Sequence, residues 1–225
     1  MPEVTAMEFA DLAIQLHEEP TVAETVELVV QYALKAVDCE YAGVMLSRGG
    51  KKVETAAATD PLVAELDQIQ IECGQGPGVE SHGELTTVRI ADTLIEARWE
   101  QWARCMSEKG IRSVLSARMS TGTTELGTLN LFHTQPDAFD RDDEAVATIL
   151  ARHAAVALAS ARRDENLWLA IDARKLIGQA QGILMERFDL SPDQAFAVLL
   201  RYSQDKNLKL RDVAQLLVSG RGLPD

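Results

Sequence analysis

The sequence predicts an α+β protein, in which a strand-rich first part is followed by an all-helical tail. Five short segments rich in β-branched and apolar residues lie between residues 41 and 134, and segments with helical periodicity flank them on both sides. Because the strands do not alternate regularly with helices, we expect an antiparallel sheet with flanking helices and not a series of βαβ units.

Composition is that of an ordinary globular protein, with 46% apolar and 25% charged residues among 225. No run of about 18 apolar residues is present, so no membrane-spanning helix is expected, and the N-terminus lacks the pattern of a secretion signal. The three cysteines, Cys39, Cys73 and Cys105, contain no CxxC pair and predict reduced thiols in a cytoplasmic protein. A redox or haem-linked role of Cys73 is the alternative.

The net charge of −13 is unevenly distributed along the chain. Residues 172–225 carry eight Lys or Arg against seven Asp or Glu, whereas the first 171 residues carry 14 basic and 28 acidic side chains. An acidic body with a weakly basic tail suits a chain in which only the tail meets phosphate. The affinity is then expected to be modest, because counterion release grows with the number of basic contacts.

Two helices are predicted at the N-terminus, over residues 9–16 and 21–37, from their apolar periodicity. Thr21 followed by Glu24 is a typical helix-start signal. Beyond the first strands, a further helix is predicted over residues 96–110, ending at Gly110 as a C-terminal cap.

The strand segments are separated by turn signals. Gly49-Gly50-Lys51 between the first two strands is typical of a hairpin. The glycine-rich segment 74–78 lacks the Gly-Lys-Ser/Thr of a phosphate-binding loop, so a tight turn is expected there. Strands are predicted at residues 41–48, 52–59, 86–92, 113–120 and 126–134.

One long helix is predicted from residue 140 to about residue 171. Two interpretations of its apolar stripe stay open: it packs on the sheet of its own chain, or it forms a dimer seam that continues into the tail, and both can hold for different halves of the helix. The stripe has near-heptad spacing and consists of Val146, Ile149, Leu150, His153, Val156 and Ala157.

Three amphipathic helices are predicted in the tail, over residues 172–188, from Ser191 onward, and over residues 210–217. The second begins with a capping box of Ser191 and Gln194, with Pro192 at its first position. Phe188 is expected in the core. The expected buried face of the second helix is Ala195, Phe196, Leu199 and Ser203.

The first part resembles a GAF domain over about residues 7–165. Three segments carry the resemblance. The first, residues 72–92, contains GQGPG; the second, residues 96–119, contains RWEQW and GIRSVLS; the third is residues 127–161. Gly78 stands where a Cys is common in the family, so no thiol chemistry is expected at that position.

The resemblance to GAF domains implies a pocket for a small molecule beside the sheet. The ligand and any cofactor stay unknown, and the alternative is that the aromatic residues are simply core. The four histidines lack metal-ligand spacing, so no metal site is expected. Candidate pocket residues are Met45, Trp99, Trp102 and Arg118.

The tail resembles an ANTAR domain, the RNA-binding output module of bacterial antitermination regulators, as found after GAF domains in actinobacterial proteins. The resemblance rests on Ala180-Gln-Gly182, Leu184-Met185, Ala195-Phe196, Ser203, Asn207, Leu210 and Val213-Ala214, in this order and spacing. Gln181 departs from the family, where a basic residue is common. The two resemblances together imply a GAF sensor domain over residues 1–165 and an ANTAR domain over residues 166–225.

The ANTAR resemblance implies that a dimer binds an RNA with two small hairpins and thereby prevents transcription termination. Unstacked loop bases can be recognised, unlike the base edges inside a paired A-form helix. Basic side chains would hold phosphate, and Gln or Asn can pair with base edges. An ordinary solvated role is the alternative for each candidate residue. The candidates are Arg174, Lys175, Gln179, Gln181, Arg201, Lys206, Asn207 and Lys209.

The predicted function is therefore a ligand-responsive RNA-binding regulator, a homodimer and not an enzyme. The alternatives keep the dimeric sensor but let the tail bind DNA or a protein partner. DNA binding is disfavoured because the last helix offers Arg211 and Gln215 but also Asp212. An enzyme is disfavoured because the chain has no Gly-x-Ser-x-Gly, no paired metal motif and no nucleotide-binding loop.

Overall fold

A computed structural model describes residues 6–48, 52–79, 87–122 and 124–220. The chain divides into two compact units, Met1–Arg162 and Arg163–Asp225, and each is described by itself. The predicted α+β class is confirmed. The hairpin signal at residues 49–51 lies outside the described residues.

The first unit is a five-stranded antiparallel sheet with helices on both faces. The strand order is β2-β1-β5-β4-β3. The strands are β1 (Tyr41–Arg48), β2 (Lys52–Ala58), β3 (Thr87–Ile90), β4 (Ser113–Thr121) and β5 (Thr124–His133). The helices are α1 (Ala6–Glu18), α2 (Val22–Ala36), α3 (Pro61–Cys73), α4 (Glu100–Glu108) and the first part of α5 (Arg141–Phe188).

The predicted helix start at Thr21 is confirmed. The helix predicted over residues 96–110 is shorter, Glu100–Glu108, and its C-cap is Lys109 instead of Gly110. The hydroxyl of Thr21 accepts a hydrogen bond from the Glu24 amide at 3.2 Å. Gly110 follows α4 with φ +84°, a backbone conformation that favours glycine.

Helix α3 was not predicted from the sequence. Its N-cap is Asp60, whose side chain accepts a hydrogen bond from the Leu62 amide, and its C-cap is Gly74 with φ +59°. Its buried face carries Asp67 and Gln70 besides apolar residues. Polar residues at buried positions hide the apolar periodicity by which an amphipathic helix is recognised.

The two faces of the sheet carry different cores. Helices α1, α2 and α5 contribute to a large apolar cluster with one face, in which residues such as Val29, Leu129 and Leu150 are fully buried. Helices α3 and α4 contribute to a smaller apolar cluster with the other face, around Trp102 and Phe132. The second face also carries the buried polar residues Ser116, Thr128 and Asn130 of the sheet.

Helix α5 is continuous from Arg141 to Phe188, so the predicted division near residue 171 is not observed. The physical reason is that no Pro or Gly interrupts the sequence between residues 141 and 177. Of the described helices, α5 is the one long and apolar enough to cross a bilayer by length and composition. Since its residues Ala147, Leu150 and Ala154 are fully buried in the cluster with the sheet, the first part of α5 is a core helix of this unit.

The second unit contains the end of α5, α6 (Pro192–Asp205) and α7 (Leu210–Val218). The predicted capping box is confirmed: the Ser191 amide donates to Gln194 Oε1 at 2.8 Å, and the Gln194 amide donates to Ser191 Oγ at 3.3 Å. The buried residues of its core are Ala180, Leu184, Ala195, Leu199, Val213, Ala214 and Leu217.

Two expectations for aromatic residues of this unit are wrong. Phe188, expected in the core, is 60% exposed, and Phe196, expected on the buried face of α6, is 39% exposed. The four-residue spacing of Ala195 and Leu199 defines the buried line of α6, and Phe196 lies about 100° around the helix from Ala195. A core filled by Ala, Val and Leu leaves both rings toward solvent.

Candidate functional site

A row of paired residues crosses the second face of the sheet. Met45 of β1 pairs with Thr128 of β5, which pairs with Arg118 of β4. Residues that pair directly in an antiparallel sheet point to the same face. Met45 and Thr128 are buried, and Arg118 is half-buried.

A second row lies two residues along the strands and is polar at its centre. Gly43 of β1 pairs with Asn130 of β5, which pairs with Ser116 of β4. The Ser116 hydroxyl donates to Asn130 Oδ1 at 2.7 Å, and both residues are buried. The two rows form the floor of a polar site within an otherwise apolar layer.

Helix α3 places Asp67 and Gln70 over this floor. Asp67 accepts two hydrogen bonds, from the Thr55 hydroxyl at 2.9 Å and from the Asn130 amide at 3.3 Å. Gln70 donates through Nε2 to the sulfur of Met45 at 3.8 Å. Both side chains are fully buried, so the polar residues of α3 bind the helix to the sheet.

The segment after α3, residues 74–79, closes over the same site, and the predicted tight turn is confirmed there. The amide of Gly78 donates to Gln70 Oε1 at 2.8 Å. A Cβ at Gly78 would stand 3.0 Å from both Gln70 Oε1 and Met45 Sδ, and 3.3 Å from Asn130 Nδ2. This close approach leaves almost no room for a side chain at position 78.

The carboxyl group of Asp67 is the electrostatic centre of the site. Burial raises the pKa of Asp67 to about 7, although the hydrogen bonds from Thr55 and Asn130 act in the opposite direction. Both of these donors are neutral, so they do not compensate the negative charge of an ionised Asp67. The site thus favours a protonated carboxyl, or a group that brings a positive charge.

Buried polar atoms around this face that have no hydrogen-bond partner in the described part of the chain include Trp102 Nε1, Thr128 Oγ1 and Gln75 Oε1. Trp102 lies against the closing segment, because a Cβ at Gly76 would be 3.1 Å from its Cδ1. Buried polar groups in native proteins nearly always have partners. These atoms are therefore available to a small polar molecule.

Two of the candidate pocket residues, Met45 and Trp102, are fully buried on this face, and Arg118 lies at the end of the first row. Trp99 packs edge-to-face against Trp102, with ring centroids 5.9 Å apart. The guanidinium carbon of Arg98 lies 4.9 Å from the centroid of the Trp99 ring. Trp99 thus lies at the side of the site, between Arg98 and Trp102, and not among the strand residues that form its floor.

A separate groove of about 340 Å³ lies beside α4. It is lined by residues 93–97 and by Glu100, Ala103, Arg104 and Ser107, and it contains none of the four candidate pocket residues. The polar site beneath α3, and not this groove, is therefore the one that the candidate residues share.

The candidate RNA-binding residues lie on α5, on α6 and in the connection between α6 and α7. Arg174, Lys175 and Gln179 are exposed on α5, and Arg201 is exposed on α6. Lys206, Asn207 and Lys209 are exposed in the short connection between α6 and α7, where Asn207 has φ +51°. Gln181 is half-buried, and its Nε2 donates a hydrogen bond to the Pro192 carbonyl at 3.2 Å. Gln181 therefore links α5 to the start of α6 within the domain.

The sequence matches the GAF domain family over residues 19–159 and the ANTAR domain family over residues 165–218. The chain is a GAF–ANTAR regulator. The expected resemblances to both families are confirmed, and the protein combines a ligand-sensor domain with an ANTAR output domain. No curated protein matches the chain.

The fold of the GAF domain is shared with solved structures of low sequence identity. One is the GAF domain from a phosphoenolpyruvate-protein phosphotransferase of Coxiella burnetii, at 17% identity and a TM-score of 0.56, covering 72% of this chain and 99% of that chain. Another is free methionine-R-sulfoxide reductase from Neisseria meningitidis in complex with its substrate, at 14% identity and a TM-score of 0.56, covering 69% and 88%. These likenesses show the fold alone.

Sequence reasoning missed the polar residues of the GAF site in this GAF–ANTAR regulator, among them Asp67, Gln70, Thr128 and Asn130. Asp67 and Gln70 were missed together with α3. Thr128 and Asn130 alternate with apolar residues along β5, a pattern that by itself predicts a solvated face. The signal that could have revealed the site is the polar stripe on β5, because β5 is the central strand of the sheet. Polar residues on a central strand that a helix covers are buried and not solvated.

Proposed function

We propose that this GAF–ANTAR regulator is a cytoplasmic, non-enzymatic antitermination protein that binds hairpin RNA as a homodimer under control of a small molecule in its GAF domain. The match of residues 165–218 to the ANTAR family carries the RNA part of the proposal. The weakly basic charge of the tail, in a chain of net charge −13, supports it.

The connection between α6 and α7 is the proposed point of contact with the RNA loop. It presents two lysines, Lys206 and Lys209, around the exposed amide of Asn207. Lysines provide charge for phosphate, and an amide can pair with the edge of an unstacked base. Phe188 offers an exposed ring for base stacking within the same domain.

Binding of hairpin RNA is expected to depend on the two lysines. In the Lys206→Ala/Lys209→Ala variant the Kd for a tandem-hairpin RNA should rise about tenfold or more. The slope of log K against log salt should fall in magnitude by about 1 to 2, because two phosphate contacts are lost. Filter binding at several salt concentrations, with duplex DNA of equal length as competitor, measures both quantities.

The matched control removes two exposed lysines from the GAF domain, in the Lys35→Ala/Lys52→Ala variant. It changes the net charge by the same amount, so equal losses in the two variants would show a general charge effect and contradict the proposed contact. If the wild type bound RNA and duplex DNA with equal affinity, the result would favour the alternatives in which the tail binds DNA or a protein partner.

Dimerisation is proposed to use the exposed side of α5. Of the predicted stripe, Leu150 and Ala157 are buried within the GAF domain, whereas Ile149 and Val156 are 40% and 62% exposed at a seven-residue spacing. In the ANTAR unit, Leu167 of the same helix is 60% exposed. Exposed apolar residues at heptad spacing are typical of a helix–helix seam.

The Val156→Glu variant is expected to shift the protein from dimer to monomer in sedimentation analysis, because it places a charge in the proposed seam. The control is Ala64→Glu, which places the same charge at an exposed position of α3. A dimer that persists unchanged in Val156→Glu would contradict this interface.

The ligand of the GAF domain is proposed to be a small polar molecule that carries a positive charge or hydrogen-bond donors. The Asp67 carboxyl lies among neutral donors in a buried site. The atoms Trp102 Nε1 and Thr128 Oγ1 are buried there without partners among the described residues. A donor on the ligand would satisfy the Asp67 carboxyl and the Thr128 hydroxyl, and an acceptor on the same ligand would take the hydrogen bond that Trp102 Nε1 donates.

A further inference from the structure

The groove beside α4 is bordered by two large apolar side chains that are exposed to solvent. Leu94 and Ile95 belong to the connection from β3 to α4, line the groove and are 62% and 80% exposed. The volume of the groove, about 340 Å³, is enough to receive a large side chain. Neighbouring apolar residues held in solvent next to a groove mark a surface that binds another molecule.

The backbone that carries these two side chains is fixed by hydrogen bonds. The Asp92 carboxylate accepts a hydrogen bond from the Leu94 amide at 3.0 Å and two from the Arg112 side chain at 2.9 and 2.7 Å. The Thr93 hydroxyl donates to the Ile111 carbonyl at 2.7 Å. A preorganised apolar surface loses little conformational entropy when a partner covers it.

The shape of this surface is complementary to itself. Leu94 and Ile95 form a ridge, and the groove next to the ridge is lined by the short side chains of Ala97 and Ala103. A two-fold axis through such a surface places the ridge of each copy in the groove of the other. One patch thus supplies both halves of an interface between two identical chains.

The charges in the groove are also complementary to themselves. Glu100 and Arg104 both line it, one helical turn apart on α4. Glu100 takes part in no ion pair within the described part of the chain. Arg104 is paired only loosely with Glu108, at 3.9 Å between two mostly exposed side chains. When two α4 helices meet in antiparallel orientation, Glu100 of each copy comes to Arg104 of the other.

We propose that this groove is an interface between two copies of the chain, in which Leu94 and Ile95 of each copy enter the groove of the other and Glu100 of each copy pairs with Arg104 of the other. The interface is separate from the seam along α5, and it depends neither on RNA binding nor on a ligand in the GAF site. Because the patch is small, we expect a modest affinity, which any other contact between the same copies increases.

Charge reversal tests the pairing, because a two-fold axis makes each charge meet the other type twice. In sedimentation equilibrium of the full-length protein, Glu100→Arg alone and Arg104→Glu alone should each self-associate about tenfold more weakly than the wild type, since like charges then face each other. A 1:1 mixture of the two variants should regain the wild-type affinity, because every contact in the mixed pair joins opposite charges. Glu27→Arg, at an exposed position of α2, is the control and should associate like the wild type.

The apolar part of the interface is tested by Ile95→Ser. This variant should also associate about tenfold more weakly, and its free energy of unfolding should equal that of the wild type, because Ile95 is exposed in the single chain. Ile14→Ser, at a 58% exposed position of α1, is the matched control. Amide hydrogen exchange of residues 93–107 should slow with rising concentration of the wild type and not with rising concentration of Glu100→Arg.

Three results would overturn the proposal: a wild type that does not self-associate, charge variants that associate as tightly as the wild type, or a mixture of them that does not regain affinity. The α5 seam contributes equally to all of these samples, so it cannot produce loss in each variant and recovery in the mixture. Failure of the seam shows instead in Val156→Glu, so the two interfaces are tested independently.

Discussion

Replacing Leu199 by Ala is expected to unfold most of the ANTAR unit while the GAF unit stays folded. Leu199 is fully buried in the small core formed by the end of α5, α6 and α7. A buried Leu→Ala change costs about 2–5 kcal/mol. A unit the size of Arg163–Asp225 has a free energy of unfolding of roughly 3–9 kcal/mol, so the loss removes a large part of it.

The neighbouring residue offers a matched control. Leu200→Ala is the same chemical change on the same helix, but Leu200 is 38% exposed and is expected to cost under about 1 kcal/mol. Amide hydrogen exchange over residues 192–218 separates the two variants, since it reports on the ANTAR core alone. RNA binding should be lost in Leu199→Ala. Equal protection in both variants would show that α6 does not pack through Leu199.

The helices of the ANTAR unit illustrate what the sequence predicts well. Ser191, Pro192 and Gln194 are local signals whose hydrogen bonds involve only their own turn, and the structure contains both bonds of the capping box. The exposure of Phe188 and Phe196 was not predictable in the same way. It depends on how wide a face the three helices cover, which is a property of their packing and not of α6 itself.

The GAF sheet shows the same division between local and non-local information. Its strands follow from apolar segments and turns, and β1 was predicted with the bounds that the structure has. The polar site instead combines residues from β1, β4, β5 and α3 that are distant in sequence, such as Asp67 and Asn130. Only the pairing of the strands shows that these polar groups are buried together.

Gly78 is a position at which the sequence shows a departure from the family and the structure explains it. From the sequence alone it marks a departure from a family in which Cys is common there. The structure supplies a steric reason, because Gln70, Met45 and Asn130 all lie within 3.3 Å of where a Cβ would stand. A larger residue at this position requires a more open site, so the identity of residue 78 and the closure of the segment 74–79 are coupled.

Closure of that segment should be visible in the pH dependence of stability. The pKa of Asp67 is raised to about 7 in the folded protein, chiefly by burial, above its ordinary value of 3.8. Between these two values the folded state keeps a proton that the unfolded state has released. The stabilising contribution is thus complete below the unfolded pKa and is lost as the pH rises toward 7.

The Asp67→Asn variant is expected to remove this dependence, because an amide keeps the hydrogen bonds of the protonated carboxyl without titrating. Its free energy of unfolding relative to wild type should rise by about 2.7 kcal/mol between pH 5 and pH 8, since about two pH units of this range lie below the folded pKa of about 7 and each is worth about 1.4 kcal/mol. Urea denaturation at the two pH values measures the difference. Asp11→Asn, at an exposed position of α1, is the control and should show no comparable change.

The size of this effect distinguishes a GAF site that excludes water from one that water reaches. If the segment 74–79 excludes water, the ionised Asp67 has only the neutral donors Thr55 and Asn130, and the full pH dependence appears. If water reaches the carboxylate, its pKa falls toward the ordinary value and Asp67→Asn follows the wild type at both pH values. If the difference in free energy of unfolding between Asp67→Asn and the wild type were the same at pH 5 and pH 8, this would contradict a closed site. It would also contradict the expectation that the ligand supplies a positive charge to Asp67.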